Sequence, residues 1–267
     1  KERCRDPETI VKEATELFER GYREVTLLGQ NVNSYNSSDG TGFASLMAKV
    51  AAVNPLLRVR FATSHPKDLS DELLGTMAAY PNICRSIHLP VQSGSDTVLK
   101  RMNRKYNREW YLGRIASIRK FIPDCTISTD IITGFCGETE EEHNETLSLM
   151  NQVGYEYAFM FKYSEREGTT AAKKFTDDVP EEIKSRRLKE IIDLQQELST
   201  KSNLSDIGKT FSVLVENVSK KSSSELSGRN SQNKVVVFRK DEFKPGDYVN
   251  VRITSCTPAT LKGEVID

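Results

Sequence analysis

The sequence lacks long apolar runs, and neither sign of charge is in excess. No stretch approaches the 18 or so consecutive apolar residues of a transmembrane helix, so we expect neither a membrane span nor a membrane partner. Lys and Arg number 38 and Asp and Glu also 38, which argues against a uniformly basic nucleic-acid coat and an acidic disordered tail. The hydrophobic fraction of 37% is still sufficient for a packed core.

Cysteine and histidine are also scarce. The chain has 5 cysteines, an odd number with wide spacing and no C-x2-C pair, and 3 histidines. This pattern argues against a secreted disulfide framework and against a self-contained cysteine and histidine metal site. We therefore assign no metal ligand and expect a reducing, cytoplasmic compartment.

The first two hundred residues alternate helix and strand signals. Asp6-Pro7-Glu8 starts a helix, Thr139 and Glu142 form a capping box, and a long polar helix runs from Val179 to about Ser199. Strand-like segments lie between the helices, at residues 25–28, 58–62, 83–89, 126–132 and 157–163. Alternation of this kind predicts an α/β fold with a parallel sheet or barrel and the helices outside.

After Asn203 the apolar residues instead recur with period 2. The alternating segments at 211–216, 234–238 and 248–253 predict a small all-β barrel of the OB-like type. We interpret Lys220–Ser224 as a flexible loop within it.

Polar residues cluster where the predicted strands end, which is where parallel α/β folds place their functional groups. Ordinary turn chemistry explains any one such cluster, but it explains five in succession less well. The clusters are Gly29 to Asn33, Thr63 to Pro66, His88 to Asp96, Ser128 to Glu138, and Lys162 to Ser164.

Six segments follow one another along the α/β part: LLGQNVNSY, TSHPKDLS, HLPVQSGSD, LKRMNRKYNREWY, STDIITGFCGETEEE and FMFKYSEREGT. The all-β tail contains VLVENV, SGRNSQNKVVVF, KPGDYVNVRI and LKGEV. The six ordered segments resemble the radical S-adenosylmethionine (SAM) methylthiotransferases, and the stretch from Gln30 to Tyr35 is most similar to the branch that modifies N6-isopentenyladenosine in tRNA. The tail resembles a TRAM domain, an RNA-binding barrel.

The resemblance implies a partial (β/α) TIM-like radical SAM barrel over residues 1–203 and a TRAM domain over 204–267. The family's N-terminal domain and its C-x3-C-x2-C cluster loop are not in this sequence, so we expect the chain to be a C-terminal part that lacks the first barrel strand. Cys4 lies beyond the position of that loop and is not assigned as a ligand. Cys136 stands where the family often has proline.

The activity that the resemblance implies is methylthiolation of C2 of N6-isopentenyladenosine at position 37 of tRNA. The cofactors would be SAM and two [4Fe-4S] clusters, with the ligand cysteines absent from this chain, so that the fragment alone would be inactive. The partners would be a tRNA anticodon loop and an electron donor, and the protein would be a monomer. Two alternatives stay open: an RNA-binding module without catalysis, and a methylthiotransferase acting on a ribosomal protein or another tRNA adenosine.

The resemblance also suggests residues for SAM. Arg104 suits the methionine carboxylate because its planar guanidinium can bind a carboxylate through two hydrogen bonds, and Asp130 suits a ribose hydroxyl or the amino group. The other interpretation is a solvated helix charge for Arg104 and a structural carboxylate for Asp130. No catalytic residue is assigned. The full set of SAM candidates is Gly29, Gln30, Asn31, Gln92, Arg104, Ser128 and Asp130.

For RNA, the candidates are Arg229, Lys234 and Arg239 in the locally basic tail, which we expect to behave as a separate module. His65 and His88 are expected to have structural hydrogen-bonding roles only. About half of the alternating aromatic residues at 157, 159, 161 and 163 should belong to the core.

Overall fold

The computed structural model describes residues 4–62 and 65–266, and these form two compact units. The first unit contains the described residues up to Ile87, Ser117–Thr126, and those from Asn203 onward; the second contains His88–Ala116 and Ile127–Ser202. Thr63 and Ser64, which belong to one of the polar strand ends, lie outside the described residues. Within the described residues no helix is long and apolar enough to cross a membrane.

The α/β part follows the predicted alternation of helices and strands. Its helices are α1 Pro7–Glu19, α2 Phe43–Ala51, α3 Asp71–Ala79, α4 Asp96–Arg101, α5 Arg108–Phe121, α6 Glu140–Val153, α7 Thr170–Lys174 and α8 Glu181–Leu204. Its strands are β1 Glu24–Leu27, β2 Arg58–Phe61, β3 Ser86–His88, β4 Thr126–Thr133 and β5 Tyr157–Lys162, and two short 3-10 helices lie at Val32–Ser34 and Pro66–Asp68.

The helix starts arise from local capping, as the sequence predicts. The Asp6 carboxylate accepts hydrogen bonds from the backbone N–H groups of Glu8 and Thr9, at 3.0 and 3.2 Å, ahead of α1. The capping box before α6 is complete, with the Thr139 hydroxyl and the Glu142 carboxylate each bonded to the other's backbone N–H. Such caps satisfy backbone donors that have no partner inside the helix.

In the first unit, β1 and β2 pair in parallel, with Val25 opposite Val59. The tail forms a closed five-stranded barrel with the strand order β10-β8-β7-β6-β9. Its strands are β6 Thr210–Val218, β7 Glu225–Arg229, β8 Val235–Arg239, β9 Tyr248–Cys256 and β10 Leu261–Val265. Its interior is apolar because alternate residues point inward: Val213, Val215, Leu226, Val236, Phe238, Val249, Val251, Ile253 and Leu261.

The barrel shares a compact unit with β1 and β2. The guanidinium of Arg58, only 6% exposed, donates to the backbone carbonyls of Arg229 and Ser212. The Tyr248 hydroxyl donates to the carbonyls of Arg23 and Leu56, at 3.3 and 3.1 Å. Hydrogen bonds from side chains to backbone carbonyls therefore attach the barrel to residues far away in the sequence.

In the second unit, β4 lies between β3 and β5, and β4 and β5 are parallel. The two faces of β4 differ sharply. Ile127, Thr129, Ile131 and Thr133 are buried, whereas the alternate residues Ser128, Asp130 and Ile132 are only half-buried.

Strand β5 alternates in the same way. Ala158 is buried, but Tyr157, Phe159 and Phe161 are 54%, 47% and 53% exposed. The expectation that half of the aromatic residues at 157–163 belong to the core is therefore wrong for these three. They share one face of the strand, because side chains two residues apart point the same way.

Candidate functional site

The half-exposed face of β4 carries a small polar cluster centred on His88. Its Nε2 lies 3.3 Å from the Asp130 carboxylate, and its Nδ1 lies 3.0 Å from the Ser128 hydroxyl. The structural role expected for His88 is thus met by hydrogen bonds across the sheet, and the two predicted SAM residues on β4 are brought together by it. A sequence cannot give this register, because pairing between distant strands is set by tertiary packing.

Gln92 is held against the same strand by its backbone. Its N–H donates to the carbonyl of Asp130 at 2.9 Å, and its carbonyl accepts from the N–H of Ile132 at 2.9 Å. The residue has φ +75°, a conformation that is uncommon for residues other than glycine. The two hydrogen bonds fix this conformation and keep Gln92, which is 7% exposed, next to Asp130.

Gly94, two residues after Gln92, allows this segment to pack closely against α6. A Cβ on Gly94 would lie 2.5 Å from the carbonyl oxygen of Glu145 and 2.6 Å from the Cα of Thr146, both in α6. The Gly94 N–H donates to the Thr146 hydroxyl at 2.9 Å. Only glycine allows the backbone to approach the helix this closely.

Arg104 stands at the end of the turn that follows α4. Its N–H donates to the carbonyl of Leu99, while its side-chain Nε is buried and has no hydrogen-bond partner among the described residues. The neighbouring Arg101 is already paired, since its guanidinium bonds to the Glu142 carboxylate at 2.5 Å. An unsatisfied guanidinium N–H is a suitable donor for an anionic ligand such as a carboxylate.

The remaining SAM candidates lie in the first unit, after β1. The Asn31 amide nitrogen donates to the Asp68 carboxylate at 2.6 Å, and its amide oxygen is buried with no partner among the described residues. Gly29, Gln30 and Asn31 line a pocket together with Arg5 and Tyr35. A Cβ on Gly29 would meet Val32 only at an ordinary contact distance of 3.6 Å, so packing within the chain does not require this glycine.

The three RNA candidates differ in how available they are. Lys234 forms an ion pair with Asp206 at 2.6 Å, and its side chain is 12% exposed. Arg229 donates to the carbonyl of Asn233 and lies 3.4 Å from the Glu216 carboxylate. Arg239 is 86% exposed, with Asp241 at 3.7 Å. Of the three, Arg239 is the one most open to an external partner.

A buried polar network supports the turn after β4. Glu138 and Arg187 form an ion pair at 3.0 Å with both side chains almost fully buried, and Glu138 also accepts from the N–H of Gly134 at 2.6 Å. Burial raises the pKa of Glu138, although the bonds from Gly134 and Arg187 act in the opposite direction. His143, fully buried, joins the network through Glu190 at 2.8 Å. The network fixes the turn that follows the strand of Ser128 and Asp130.

Two structural features of the candidate site were not predicted from the sequence. One is the contact of His88 with Asp130; the other is the exposed aromatic row of Tyr157, Phe159 and Phe161. The sequence does contain a signal for the row: Ala158 and Met160 alternate with the aromatic residues, and the period of 2 puts these two apolar residues on the opposite face of the strand.

The described residues do not fit the iron–sulfur cluster that the resemblance implies. Cys84, Cys125 and Cys136 are buried free thiols, Cys4 is exposed, and Cys256 is half-buried. Among the described residues no three or more His, Cys, Asp or Glu side chains are grouped so that they could hold a metal ion. A cluster needs several cysteine thiolates close together, so we derive no step through one on this chain. SAM is a better fit within the second unit, since the buried Nε of Arg104 has no partner among the described residues and is a donor suited to a carboxylate.

The chain is similar to a group of curated bacterial proteins. It is 58% identical to the tRNA-2-methylthio-N(6)-dimethylallyladenosine synthase of Amoebophilus asiaticus, over 99% of this chain and 58% of that protein. The proteins of the same name from Bacteroides fragilis and Porphyromonas gingivalis are 58% and 53% identical over 100% of this chain, and over 59% and 58% of their own lengths. The chain thus spans somewhat more than half the length of the curated relatives it matches.

Domain families and a solved structure agree with this grouping. The TRAM domain family matches residues 205–266, and the radical SAM superfamily matches residues 1–150. Coproporphyrinogen III oxidase from Escherichia coli, described as a radical SAM enzyme, shares the fold with a TM-score of 0.54 at 12% identity, over 84% of this chain and 60% of that one. The alternating α/β segments, the closed C-terminal barrel and these matches lead to one conclusion: the chain belongs to the radical SAM superfamily and carries a TRAM domain.

Proposed function

We propose that this chain is part of an enzyme that methylthiolates C2 of N6-isopentenyladenosine at position 37 of tRNA. The observation that carries the proposal is the 58% identity with tRNA-2-methylthio-N(6)-dimethylallyladenosine synthases over nearly the whole chain. Membership of the radical SAM superfamily implies SAM and a [4Fe-4S] cluster as cofactors. We further propose two clusters, with cysteine ligands from outside this chain, and a separate electron donor.

The proposal gives the α/β residues a role in holding SAM. Arg104 would bind the methionine carboxylate, and Asn31 would accept a hydrogen bond from the amino group, through the two atoms that lack partners. Ser128 and Asp130, oriented by His88, would bind ribose hydroxyls, while Gln92 would keep the segment after β3 in place. Gly29 and Gln30 would complete the binding surface after β1. When bound, SAM and the cluster supply the radical chemistry; these residues bind and orient SAM.

The barrel would bind the tRNA backbone. We place the domain boundary at 203/204 in sequence, although the barrel is attached to β1 and β2 by Arg58 and Tyr248. Arg239 is the primary phosphate contact in this proposal because it is the most exposed of the candidates. Arg229 and Lys234 would contribute only after exchanging their carboxylate partners for phosphate. The protein would act as a cytoplasmic monomer.

An RNA-binding module without catalysis is the main alternative, and it is favoured by one observation: the described cysteines do not form a cluster site. The decisive experiment uses the full-length protein that contains this chain, reconstituted with iron and sulfide without oxygen. We expect it to convert N6-isopentenyladenosine in tRNA to the 2-methylthio derivative, detected by mass spectrometry of the nucleosides. Tight tRNA binding with no 5'-deoxyadenosine and no methylthiolated product would support the binding module instead.

The SAM assignments have their own test in the same protein. Arg104→Ala should weaken SAM binding by about tenfold or more, since a bond to a charged group is worth about 1.5–3 kcal/mol. Arg239→Ala is the matched control, because this arginine lies on the barrel and is highly exposed. Equal SAM affinity in the two variants would contradict the role of Arg104.

A further inference from the structure

The row of aromatic side chains on β5 is not used by the SAM assignments. Tyr157, Phe159 and Phe161 expose about half of their surface on one face of the strand, while Ala158 between them is buried. Single exposed apolar side chains are common on proteins, but a contiguous aromatic row usually marks a binding surface. We call these three residues the aromatic row.

The residues of β4 that lie beside the aromatic row are polar next to Phe159 and apolar next to Phe161. In the parallel register Asp130 lies opposite Phe159, and Ile132 lies opposite Phe161. His88 contacts the Phe159 ring edge to face at 5.7 Å and is 3.3 Å from Asp130. Hydrogen-bonding groups therefore flank Phe159, while the pair of Ile132 and Phe161 is entirely apolar.

The charge of the face restricts what can bind there. The cluster contains the Asp130 carboxylate, and the cation on β5, Lys162, is paired with Glu181. A phosphate would be repelled by Asp130 and would find no partner in the aromatic rings. A neutral, planar, heteroaromatic group suits this face of β5 better than a phosphate does, because such a group stacks on aromatic side chains and forms hydrogen bonds at its edge.

We infer that the aromatic row is the subsite for the substrate nucleotide, with the adenine base at Phe159 and its N6-alkyl group against Phe161 and Ile132. The inference rests on the proposed function, since the substrate it requires is an adenosine with a branched five-carbon substituent. Side chains at i, i+2 and i+4 span roughly 13 Å along a strand, enough for the base and its substituent. The base lies at the end of the row near His88, and the apolar substituent faces the apolar pair.

The test compares two RNA ligands on the full-length enzyme. The first ligand is an anticodon stem-loop carrying N6-dimethylallyladenosine, and the second is the same loop carrying adenosine. We expect the wild-type enzyme to bind the alkylated loop about tenfold more tightly, measured by fluorescence anisotropy. Phe161→Ala should bring this ratio close to one, and Phe159→Ala should weaken the binding of both loops.

Three controls make the result interpretable. Phe161→Leu keeps an apolar side chain and should retain most of the preference, so its loss in Phe161→Ala is not a folding defect. Tyr22→Ala removes an aromatic residue that is 51% exposed in the first unit and should leave the ratio unchanged. SAM binding, titrated separately, should be unchanged in Phe161→Ala.

The outcomes separate the inference from the proposed function. A tenfold preference that survives in Phe161→Ala, or a loss of SAM affinity with the preference intact, overturns the subsite. Failure of the wild-type enzyme to methylthiolate any tRNA overturns the proposed function, whatever the binding ratios are. Methylthiolation that no longer depends on the N6-alkyl group in Phe161→Ala supports both.

Discussion

The guanidinium of Arg58 donates to the backbone carbonyl of Arg229 at 2.6 Å, across 171 residues of sequence. The same guanidinium donates to the carbonyl of Ser212 and lies over the ring of Tyr248 at 5.2 Å. Arg60 donates to the carbonyl of the adjacent Asn230 at 3.1 Å. Strand β2 therefore presents two arginines that bind carbonyls of β6, of the end of β7 and of the residue after it, and these bonds attach the barrel to β2.

Arg58→Ala should lower the free energy of unfolding by about 2–4 kcal/mol, because two backbone carbonyls of the barrel lose a charged donor that is itself buried. Urea unfolding measures this change. Arg239→Ala is the matched control: its side chain is 86% exposed, and the change should stay below about 0.5 kcal/mol. Similar stabilities for the two variants would contradict the attachment role of Arg58.

Two glycines of the second unit should respond to alanine in opposite directions. Gly94→Ala places a Cβ 2.5 Å from the Glu145 carbonyl oxygen and should cost about 1–3 kcal/mol. Gly113 lies inside α5, and a Cβ added there would meet no atom within 4 Å. Gly113→Ala should raise the free energy of unfolding by about 0.5–1 kcal/mol, because alanine favours the helix more than glycine does. Thermal unfolding of both variants checks the signs, and stabilisation by Gly94→Ala would refute the close approach.

Cysteine alkylation should follow burial. Burial raises the pKa of Cys84 to about 12, so at pH 8 only about one thiol in ten thousand is ionised. We expect iodoacetamide to modify the exposed Cys4 first, and to modify Cys84, Cys125 and Cys136 only in urea. Mass spectrometry of tryptic peptides measures the order. Modification of native Cys84 as fast as Cys4 would show that the first unit opens readily.

Two glutamates near the start of α6 should influence stability with opposite pH dependence. Burial raises the pKa of Glu138, so its contribution is present below the ordinary pKa of 4.5 and is lost as the pH rises through the raised value. A hydrogen bond from Arg186 lowers the pKa of Glu140 to about 2, so its contribution is present above 4.5 and is lost as the pH falls toward 2.

Unfolding free energies of the wild type, Glu138→Gln and Glu140→Gln between pH 3 and 8 test both signs. The unfolding free energy of Glu138→Gln, taken relative to the wild type, should be higher at pH 8 than at pH 4. That of Glu140→Gln, taken in the same way, should be lower at pH 8 than at pH 4. Parallel curves for the three proteins would mean that neither carboxyl group is perturbed by folding.

Local signals in the sequence predict much of the fold. The cap at Asp6 and the capping box of Thr139 and Glu142 mark helix starts because they depend on neighbouring residues only. The five α/β strands were predicted because apolar runs identify them. Strand β7 was missed, since its sequence Glu-Leu-Ser-Gly-Arg has little β propensity and it is a strand only because it pairs with β6 and β8.

The candidate site was predictable in part. The ends of strands could be found, and Ser128 and Asp130 do lie on one half-exposed face. The partner of His88 could not be found, because the register of β3 on β4 depends on packing across about 40 residues of sequence. The pairing of Lys234 with Asp206 was hidden for the same reason, since the predicted basic surface took no account of intramolecular carboxylates.

The hydrogen bonds from Tyr248 to the carbonyls of Arg23 and Leu56 also have a consequence for the order of folding. Contacts separated by 225 and 192 residues can form only after nearly the whole chain has left the ribosome. The second unit contains no residue beyond Ser202, so its contacts become available earlier during synthesis. Until β6 and β7 emerge, Arg58 on β2 lacks the carbonyls it binds, and its guanidinium stays in contact with water.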